Sequence, residues 1–201
     1  MKTLIIVDAQ NDFMPDGSLP VPNGDKIIPV INRIQSKFNL IVASQDWHPQ
    51  NHISFASNHS EKTVFDVVKI AGENQTLWPD HCVQNTEGAA FHPQLETNRI
   101  EAIFRKGADV NIDSYSAFFD NGHLKSTGLA GYLKEKSAKQ LYFCGLAADI
   151  CVYYSIMDAH KEGFECYLIE DAAKPLDNEN FEKLKVEMRS KNIKIISSTE
   201  I

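Results

Sequence analysis

The amino-acid sequence predicts an α/β fold, and two features of its apolar pattern support this prediction. Six short apolar runs are spread over the 201 residues, and most are apolar throughout, as strands are when both faces of a sheet are buried. Segments with the helical spacing of apolar residues lie between most of these runs. Strand and helix therefore alternate along the chain, which is typical of one sheet with helices on both faces.

The predicted elements follow one another in a regular order. Six strands are predicted at residues 3–9, 40–46, 100–106, 141–147, 165–171 and 193–198. Four helices are predicted at residues 25–38, 124–138, 148–163 and 178–192. The third helix ends at Gly163, because glycine readily takes the backbone conformation that closes a helix. The second is the weakest prediction, because glycines interrupt it.

Residues 47 to 99 are the exception to this alternation. The segment is rich in Asn, His, Pro and Gly and has little apolar periodicity. A long irregular insertion in a compact domain is either disordered or functional. No other change of composition marks a boundary, so the sequence predicts one domain over residues 1–201 with an irregular insertion at about 47–99.

The composition argues against several classes of function. The net charge is −7 and no basic stripe is present, so a nucleic-acid partner is not expected. No apolar stretch approaches the roughly 20 residues that a membrane-spanning helix needs. The first apolar run is too short for a signal peptide, so we expect a cytoplasmic protein. The four cysteines form no CxxC pair, and no disulfide framework is predicted.

Chemically active residues follow several of the predicted strands. Asp8 closes the first strand, Asp46 and His48 close the second, and Lys106 ends the third. The fourth strand leads into GLAADIC, which contains Cys151. In open α/β sheets, ligands bind outside the C-terminal ends of the strands. The sequence therefore predicts a site that combines an acid, a metal-binding pair, a lysine and a cysteine.

Cys151 is the candidate nucleophile of this site. It lies between a strand and a helix, so we expect it in the first helical turn, where unpaired N–H groups and the helix dipole lower a thiol pKa. The same N–H groups would stabilise an oxyanion. Taken alone, Cys151 fits equally well as a small buried residue between helix and sheet. Asp8 also fits a turn-capping role, and Lys106 fits a lysine that reaches solvent.

Asp46 and His48 are the candidate metal ligands. They are two residues apart, so in an extended segment both side chains point to the same side. His81 in WPDHC is a candidate third ligand, and His52 is a weaker one. An Asp/His/His set with open positions suits Zn²⁺, Mn²⁺ or Fe²⁺ better than a closed structural zinc site. The alternative is that these residues cap turns in a loop.

Five sequence blocks together carry a family resemblance. They are VDAQNDF (7–13), DWHPQNHISF (46–55), WPDHCVQNTEGAAFHP (78–93), FRKGADVNIDSYSAFFDN (104–121) and GLAADICVYYS (145–155). In this order they resemble the nicotinamidases of the isochorismatase-like cysteine hydrolase superfamily. The resemblance implies a three-layer α/β/α fold around a six-stranded, mainly parallel sheet, which agrees with the number of predicted strands.

The resemblance also implies roles for the candidate residues. The catalytic triad would consist of Asp8, Lys106 and Cys151. The metal ligands would be Asp46, His48 and His81, with His52 in second rank.

Further residues of the quoted blocks would form the substrate pocket. Phe13, Trp78 and Tyr115, which by themselves fit either the core or a pocket wall, would contact the substrate. A cis peptide bond at Leu146–Ala147 would accompany an oxyanion hole made by the amides of Ala147 and Cys151. Ala148 stands where the family commonly has threonine, so the chain offers no hydroxyl at that position.

The activity implied by the resemblance is hydrolysis of nicotinamide to nicotinate and ammonia through a cysteine thioester, which feeds NAD salvage and extends to pyrazinamide. One divalent metal ion, with zinc preferred over manganese and iron, would anchor the pyridine nitrogen. A metal-independent isochorismatase or carbamoyl-amide hydrolase of the same superfamily is the first alternative. A non-catalytic metal- or ligand-binding protein is the second. The expected partner is a small molecule, and no membrane partner is expected. Whether the chain forms a homo-oligomer is left open by the sequence.

Overall fold

The computed structural model describes residues 1–70 and 72–201 and contains a central six-stranded sheet. Its strands are β1 Lys2–Val7, β2 Leu40–Asp46, β5 Ala102–Lys106, β6 Gln140–Gly145, β7 Glu165–Ala173 and β8 Lys194–Ile196. Their spatial order is β5-β2-β1-β6-β7-β8, and every neighbouring pair is parallel. The predicted α/β fold is confirmed.

Helices cover both faces of this sheet. They are α1 Ile27–Ile34, α2 Leu129–Glu135, α3 Tyr153–Lys161 and α4 Asn178–Ser190. Helix α1 turns Ile27, Ile31 and Ile34 into the core on one face. The other three helices contribute to the core on the opposite face. All four are shorter than predicted, and α1 is flanked by single 3₁₀ turns at 24–26 and 35–37.

Strand β1 shows why the predicted strands are continuously apolar. Leu4 and Ile6 belong to the core cluster on the α1 face, whereas Ile5 and Val7 belong to the cluster on the other face. Alternate residues of a strand point to opposite faces, so a strand covered on both sides needs apolar residues at every position. All four side chains are fully buried.

The irregular insertion is ordered largely by loop contacts. It contains a 3₁₀ turn at Ala56–Asn58 and an antiparallel hairpin of β3 Val67–Ile70 and β4 Glu73–Thr76. The sequence analysis did not predict this hairpin, because β4 reads ENQT and lacks the apolar residues typical of a strand. Within residues 1–70 and 72–201, no helix is both long enough and apolar enough to cross a membrane.

The order of the strands reverses between β1 and β6, which lie side by side at the centre of the sheet. Such a switch point opens a crevice at the C-terminal edge of the sheet. Gly145 ends β6 with a φ of +122°, and a Cβ there would lie 1.9 Å from the Val7 carbonyl oxygen. Glycine therefore lets the two strands approach closely at the mouth of the crevice.

Candidate active site

Lys106 lies at the centre of the crevice, and its side chain is fully buried. Its Nζ is 3.0 Å from Asp8 Oδ2, 3.0 Å from Asp46 Oδ1 and 3.5 Å from Cys151 Sγ. It also donates to the Ser114 carbonyl oxygen at 2.9 Å. Burial favours the neutral amine, but the charges of Asp46 and Asp8 outweigh it and raise the pKa of Lys106 well above its usual value. The lysine is thus a fixed cation.

Asp8 is the first residue after β1 and has a left-handed backbone with a φ of +47°. Ser44 Oγ donates to Asp8 Oδ1 at 2.6 Å. Asp8 Oδ2 lies close to Lys106 Nζ but has no well-aligned hydrogen bond among the described residues. Burial raises the pKa of Asp8, and the lysine only partly offsets this effect. A carboxylate with a raised pKa and a free lone pair is suited to take up a proton.

Cys151 lies in a wide π-helical turn, Ala148–Val152, that precedes α3. It is therefore not in the first turn of an α-helix, where the sequence pattern placed it. Burial raises the pKa of the Cys151 thiol well above its usual value, although Lys106 acts in the opposite direction. The expectation of a lowered thiol pKa is wrong, because desolvation outweighs the helix terminus. Burial therefore favours the neutral thiol of Cys151, and a neighbouring base would be needed to form the thiolate.

The segment before this turn supplies backbone donors. The Leu146–Ala147 peptide bond is cis, as the resemblance implied. Ala147 and Cys151 line the same cavity, and the Ala147 N–H has no acceptor among the described groups. The Ala148 N–H donates to the Lys174 carbonyl oxygen at 2.8 Å, and its methyl group is fully buried. The Ala147 amide therefore remains available to a bound molecule, whereas the Ala148 amide does not.

Asp46, His48 and His81 form a compact cluster whose ligand atoms all lie within 4.8 Å of one another. His48 Nδ1 is 2.9 Å from the Gly107 carbonyl oxygen, and His81 Nδ1 is 2.8 Å from the Pro79 carbonyl oxygen. Each Nδ1 must carry a proton to donate to a carbonyl, so Nε2 is the atom of each ring that would offer a lone pair to a cation.

The two Nε2 atoms face the same carboxylate oxygen. Asp46 Oδ2 is 3.1 Å from His48 Nε2 and 3.3 Å from His81 Nε2. His48 Nε2 is buried without a well-aligned hydrogen bond in the described part of the chain. Burial acts to lower the pKa of His48, but Asp46 outweighs it and raises the pKa, so a proton can lie between Nε2 and Oδ2 when no ion is bound. With that proton displaced, three electron-pair donors would converge, and such a set fits a divalent cation. The cluster therefore has the donor set of a metal site.

The charge of Asp46 suits this role. Burial tends to raise the pKa of Asp46, but the charges of His48 and Lys106 outweigh burial and hold the pKa well below its usual value. Asp46 also pairs directly with Lys106 in the β2–β5 register, which brings the two side chains together. An ionised carboxylate is the form that binds a metal.

His52 lies beside the cluster but outside it. Its ring is 4.2 Å from that of His48, and both of its nitrogens have protein partners. Nδ1 is 2.7 Å from Ser54 Oγ, and Nε2 is 3.3 Å from the Ile112 carbonyl oxygen. His52 instead groups with His48 and Asp113.

Two members of the cluster, Asp46 and His81, line one cavity together with Cys151, and its volume is about 330 Å³ with the mouth included. The structure brings the predicted residues Phe13, Trp78 and Tyr115 together in its wall. Four lining residues were missed by the sequence analysis, because three read as ordinary apolar residues and the fourth as a loop acid: Leu19, Ile150, Leu176 and Asp113. Ser44 was missed because it lies inside a buried strand. A small aromatic ring fits the size and lining of this cavity.

Comparisons with known proteins agree with this geometry. The isochorismatase domain family matches residues 2–200. A nicotinamidase of Acinetobacter baylyi is 48% identical over 199 residues, which cover 98% of this chain and 93% of that protein. The structure of an Acinetobacter baumannii nicotinamidase and pyrazinamidase superposes with a TM-score of 0.96 at 44% identity and covers 99% of this chain and 97% of its own. The pyrazinamidase of Pyrococcus horikoshii in complex with zinc has a TM-score of 0.80 at 42% identity and covers 98% of both chains. The chain belongs to the isochorismatase family.

Proposed function

We propose that this chain is an amidohydrolase that converts nicotinamide to nicotinate and ammonia. One observation carries the proposal: Lys106 joins a cysteine–aspartate pair to an Asp/His/His cluster across a single small aromatic cavity. The relatives named above are nicotinamidases and pyrazinamidases, which supports the same activity. The nicotinate formed would enter NAD salvage.

The cavity explains how a planar amide would be held. Phe13 and Trp78 offer faces to the ring, and Tyr115 closes the wall beside Trp78 at a ring separation of 6.2 Å. Asp46, His48 and His81 would hold a divalent ion, and we propose zinc on the basis of the zinc-bound relative. When bound, the ion would offer an open position to the pyridine nitrogen and so orient the carboxamide toward Cys151.

The first half of the reaction transfers the acyl group to sulfur. Asp8 takes the proton of the Cys151 thiol while Lys106 holds both groups in register. Sγ then bonds to the carboxamide carbon, and the Ala147 and Cys151 N–H groups stabilise the oxyanion. The proton on Asp8 passes to the amide nitrogen, the C–N bond breaks, and ammonia leaves a thioester.

The second half releases the acid. A water molecule enters the position that ammonia has left, and Asp8 takes one of its protons as it attacks the thioester carbon. The C–S bond breaks, Asp8 returns the proton to Sγ, and nicotinate departs. Each turnover consumes one water and regenerates both the thiol and the carboxylate.

The two alternatives are less well supported. A metal-independent isochorismatase or carbamoyl-amide hydrolase would need Asp8, Lys106 and Cys151 but would have no use for the three converging metal ligands. A non-catalytic binding protein would not need a buried lysine 3.5 Å from a thiol and 3.0 Å from a carboxylate.

An ammonia-release assay tests the proposal. The purified protein should release ammonia from nicotinamide, lose this activity after chelation, and regain it when Zn²⁺ is restored. Pyrazinamide keeps a nitrogen at the same ring position and should also be hydrolysed. Benzamide lacks that nitrogen and should be a poor substrate, because it leaves a polar position of the pocket unmatched. Efficient hydrolysis of benzamide, or no release from nicotinamide, would contradict the proposal.

A further inference from the structure

We infer that Gln75, on the β3–β4 hairpin, is a positioning residue for the catalytic pocket. Its side-chain amide holds Asp113 and Tyr115, and through Tyr115 also Trp78, in the places where they line the cavity. The inference rests on the proposed function, because it concerns how the ring of the substrate is clasped.

The hairpin points one polar side chain inward. Gln75 lies opposite Val68 in the antiparallel register and is only 5% exposed. Of the hairpin residues whose side chains the structure describes, Gln75 alone is buried. A buried amide must find hydrogen-bond partners or lose free energy. Its partners therefore determine how the hairpin is attached to the rest of the molecule.

Those partners belong to the wall of the catalytic cavity. Gln75 Nε2 donates to Asp113 Oδ2 at 2.9 Å and lies 3.3 Å from the Tyr115 hydroxyl oxygen. It also donates to the Thr76 carbonyl oxygen at 2.7 Å. The Asp113 carboxylate only accepts, so it requires the NH₂ group of the glutamine to face it. Asp113 therefore determines which end of the Gln75 side-chain amide faces the cavity wall.

Tyr115 carries the effect of Gln75 to the ring-binding wall. Its hydroxyl oxygen is also 3.3 Å from Trp78 Nε1, which donates to it. The amide of Gln75 and the indole of Trp78 therefore both contact one phenolic oxygen, each at 3.3 Å. A shift of Tyr115 moves an acceptor on which Trp78 depends, and Trp78 is one of the residues that would clasp the pyridine ring.

A second cavity lies next to the hydrogen bond between Gln75 and Asp113. About 680 Å³ of space, open to solvent, lies beside the hairpin and is lined by Gln75, Asp113 and Leu124 among others. Asp113 lines both this cavity and the catalytic one. Asp113 Oδ1 accepts from the Ser114 N–H at 2.8 Å, and Gln75 supplies the donor to the second oxygen, Oδ2. Without Gln75, Oδ2 of a carboxylate that borders both cavities would lose this donor.

The test replaces Gln75 with methionine, which keeps the length of the side chain and removes both donors. Loss of a buried hydrogen bond of this kind corresponds to roughly a tenfold effect on binding. We expect Gln75→Met to raise KM for nicotinamide about tenfold and to leave kcat within about twofold. The matched control is Asn74→Ala, an exposed residue of the same strand, which should change neither constant.

A double-mutant cycle asks whether Gln75 acts through Tyr115. Tyr115→Phe removes the shared oxygen and keeps the ring, so the rise in KM should be less than multiplicative when it is combined with Gln75→Met. If Gln75→Met does not fold, Gln75→Leu also lacks a donor, is close in volume, and should show the same rise in KM. Fully multiplicative effects would overturn the coupling.

The outcomes separate this inference from the proposed function. A merely structural role would reduce the amount of active enzyme and lower Vmax at unchanged KM, which would overturn the inference. An unchanged KM in both Gln75 variants would overturn it as well. A wild-type protein without activity on nicotinamide would instead refute the proposed function.

Discussion

Two carboxylates lie 3.0 Å from the same lysine nitrogen, yet their environments shift their pKa values in opposite directions. Burial raises the pKa of Asp8, and the charge of Asp46 acts in the same direction, while Lys106 and the Ser44 hydroxyl only partly offset them. Asp46 is also buried, but His48 and Lys106 together hold its pKa well below the usual value. Acid–base roles are recognised by such divergence between neighbouring groups.

This difference divides the pocket into two halves joined by Lys106. One half, with Asp8 and Cys151, is suited to exchange a proton. The other half, with Asp46, His48 and His81, holds an ionised carboxylate against the Nε2 atoms of two imidazoles. We call them the proton half and the cation half. Substitutions in the proton half should affect the chemical steps, and substitutions in the cation half should affect metal binding.

The largest expected effect is in the proton half. Cys151→Ala should lower hydrolysis of nicotinamide by at least about 10⁴-fold, because the nucleophile is lost. Its metal content, measured by elemental analysis, should stay at the wild-type value. Cys82→Ala is the matched control, because Cys82 is also a buried free cysteine and lies next to the candidate metal ligand His81 in sequence. If Cys82→Ala were inactive and Cys151→Ala active, the assignment of Cys151 as the nucleophile would be wrong.

Substituting each carboxylate in turn separates the halves. Asp8→Asn should keep its metal and lose activity by several orders of magnitude, because an amide does not accept the thiol proton. Asp46→Asn should lose metal affinity, and activity as a consequence. Both effects are measured by metal analysis alongside ammonia release. Equal metal loss in the two variants would make Asp8 a ligand instead of the base.

A substitution at Gly107 would disturb the cation half, because its Cα faces the His48 ring. Its φ is +66°, and an added Cβ would lie 2.4 Å from His48 Cε1 and 2.7 Å from His48 Nδ1. Gly107→Ala should displace the imidazole and weaken metal binding roughly 10- to 100-fold. Gly131→Ala is the control, because a Cβ there meets nothing within 4 Å. Metal affinity that is equal in the two variants would contradict the assigned position of His48.

The smallest predicted effect concerns Ser44 in the proton half. Its hydroxyl donates to Asp8 at 2.6 Å, so Ser44→Ala removes one hydrogen bond that orients the base. We expect kcat to fall roughly five- to tenfold, in line with about 1 kcal/mol for a hydrogen bond, while metal content stays constant. The exposed Ser190 provides a control, and Ser190→Ala should behave as wild type. A loss of metal in Ser44→Ala would break the separation of the halves.

Much of the fold and the main candidates could be predicted from the sequence, since both depend on local pattern. The apolar run of β2 matched its strand at both ends, and parallel strands bring their C-terminal residues to one edge. Asp8, Asp46, Lys106 and Cys151 could therefore be grouped before the structure was known. Their roles in catalysis and metal binding remain predictions that the substitutions above test.

Other features depend on contacts between distant parts of the chain. Ser44 lies inside a buried strand, and only the packing of β2 beside β1 brings it to Asp8. Gln75 belongs to a strand without apolar residues, and its partners follow about 40 residues later. The direction of the pKa shift of Cys151 also depends on depth of burial, which a helix-start pattern does not contain.

The most direct test of the division into two halves is the alkylation rate of Cys151 before and after chelation. The rate is followed by mass analysis of the peptide that contains Cys151 during reaction with iodoacetamide, and ammonia release from nicotinamide is measured on the same samples. Under the proposed roles Asp8 and Lys106 activate the thiol, so alkylation should stay within about twofold while hydrolysis is lost. Loss of alkylation together with hydrolysis would contradict the account, since the metal would then act on the thiol itself.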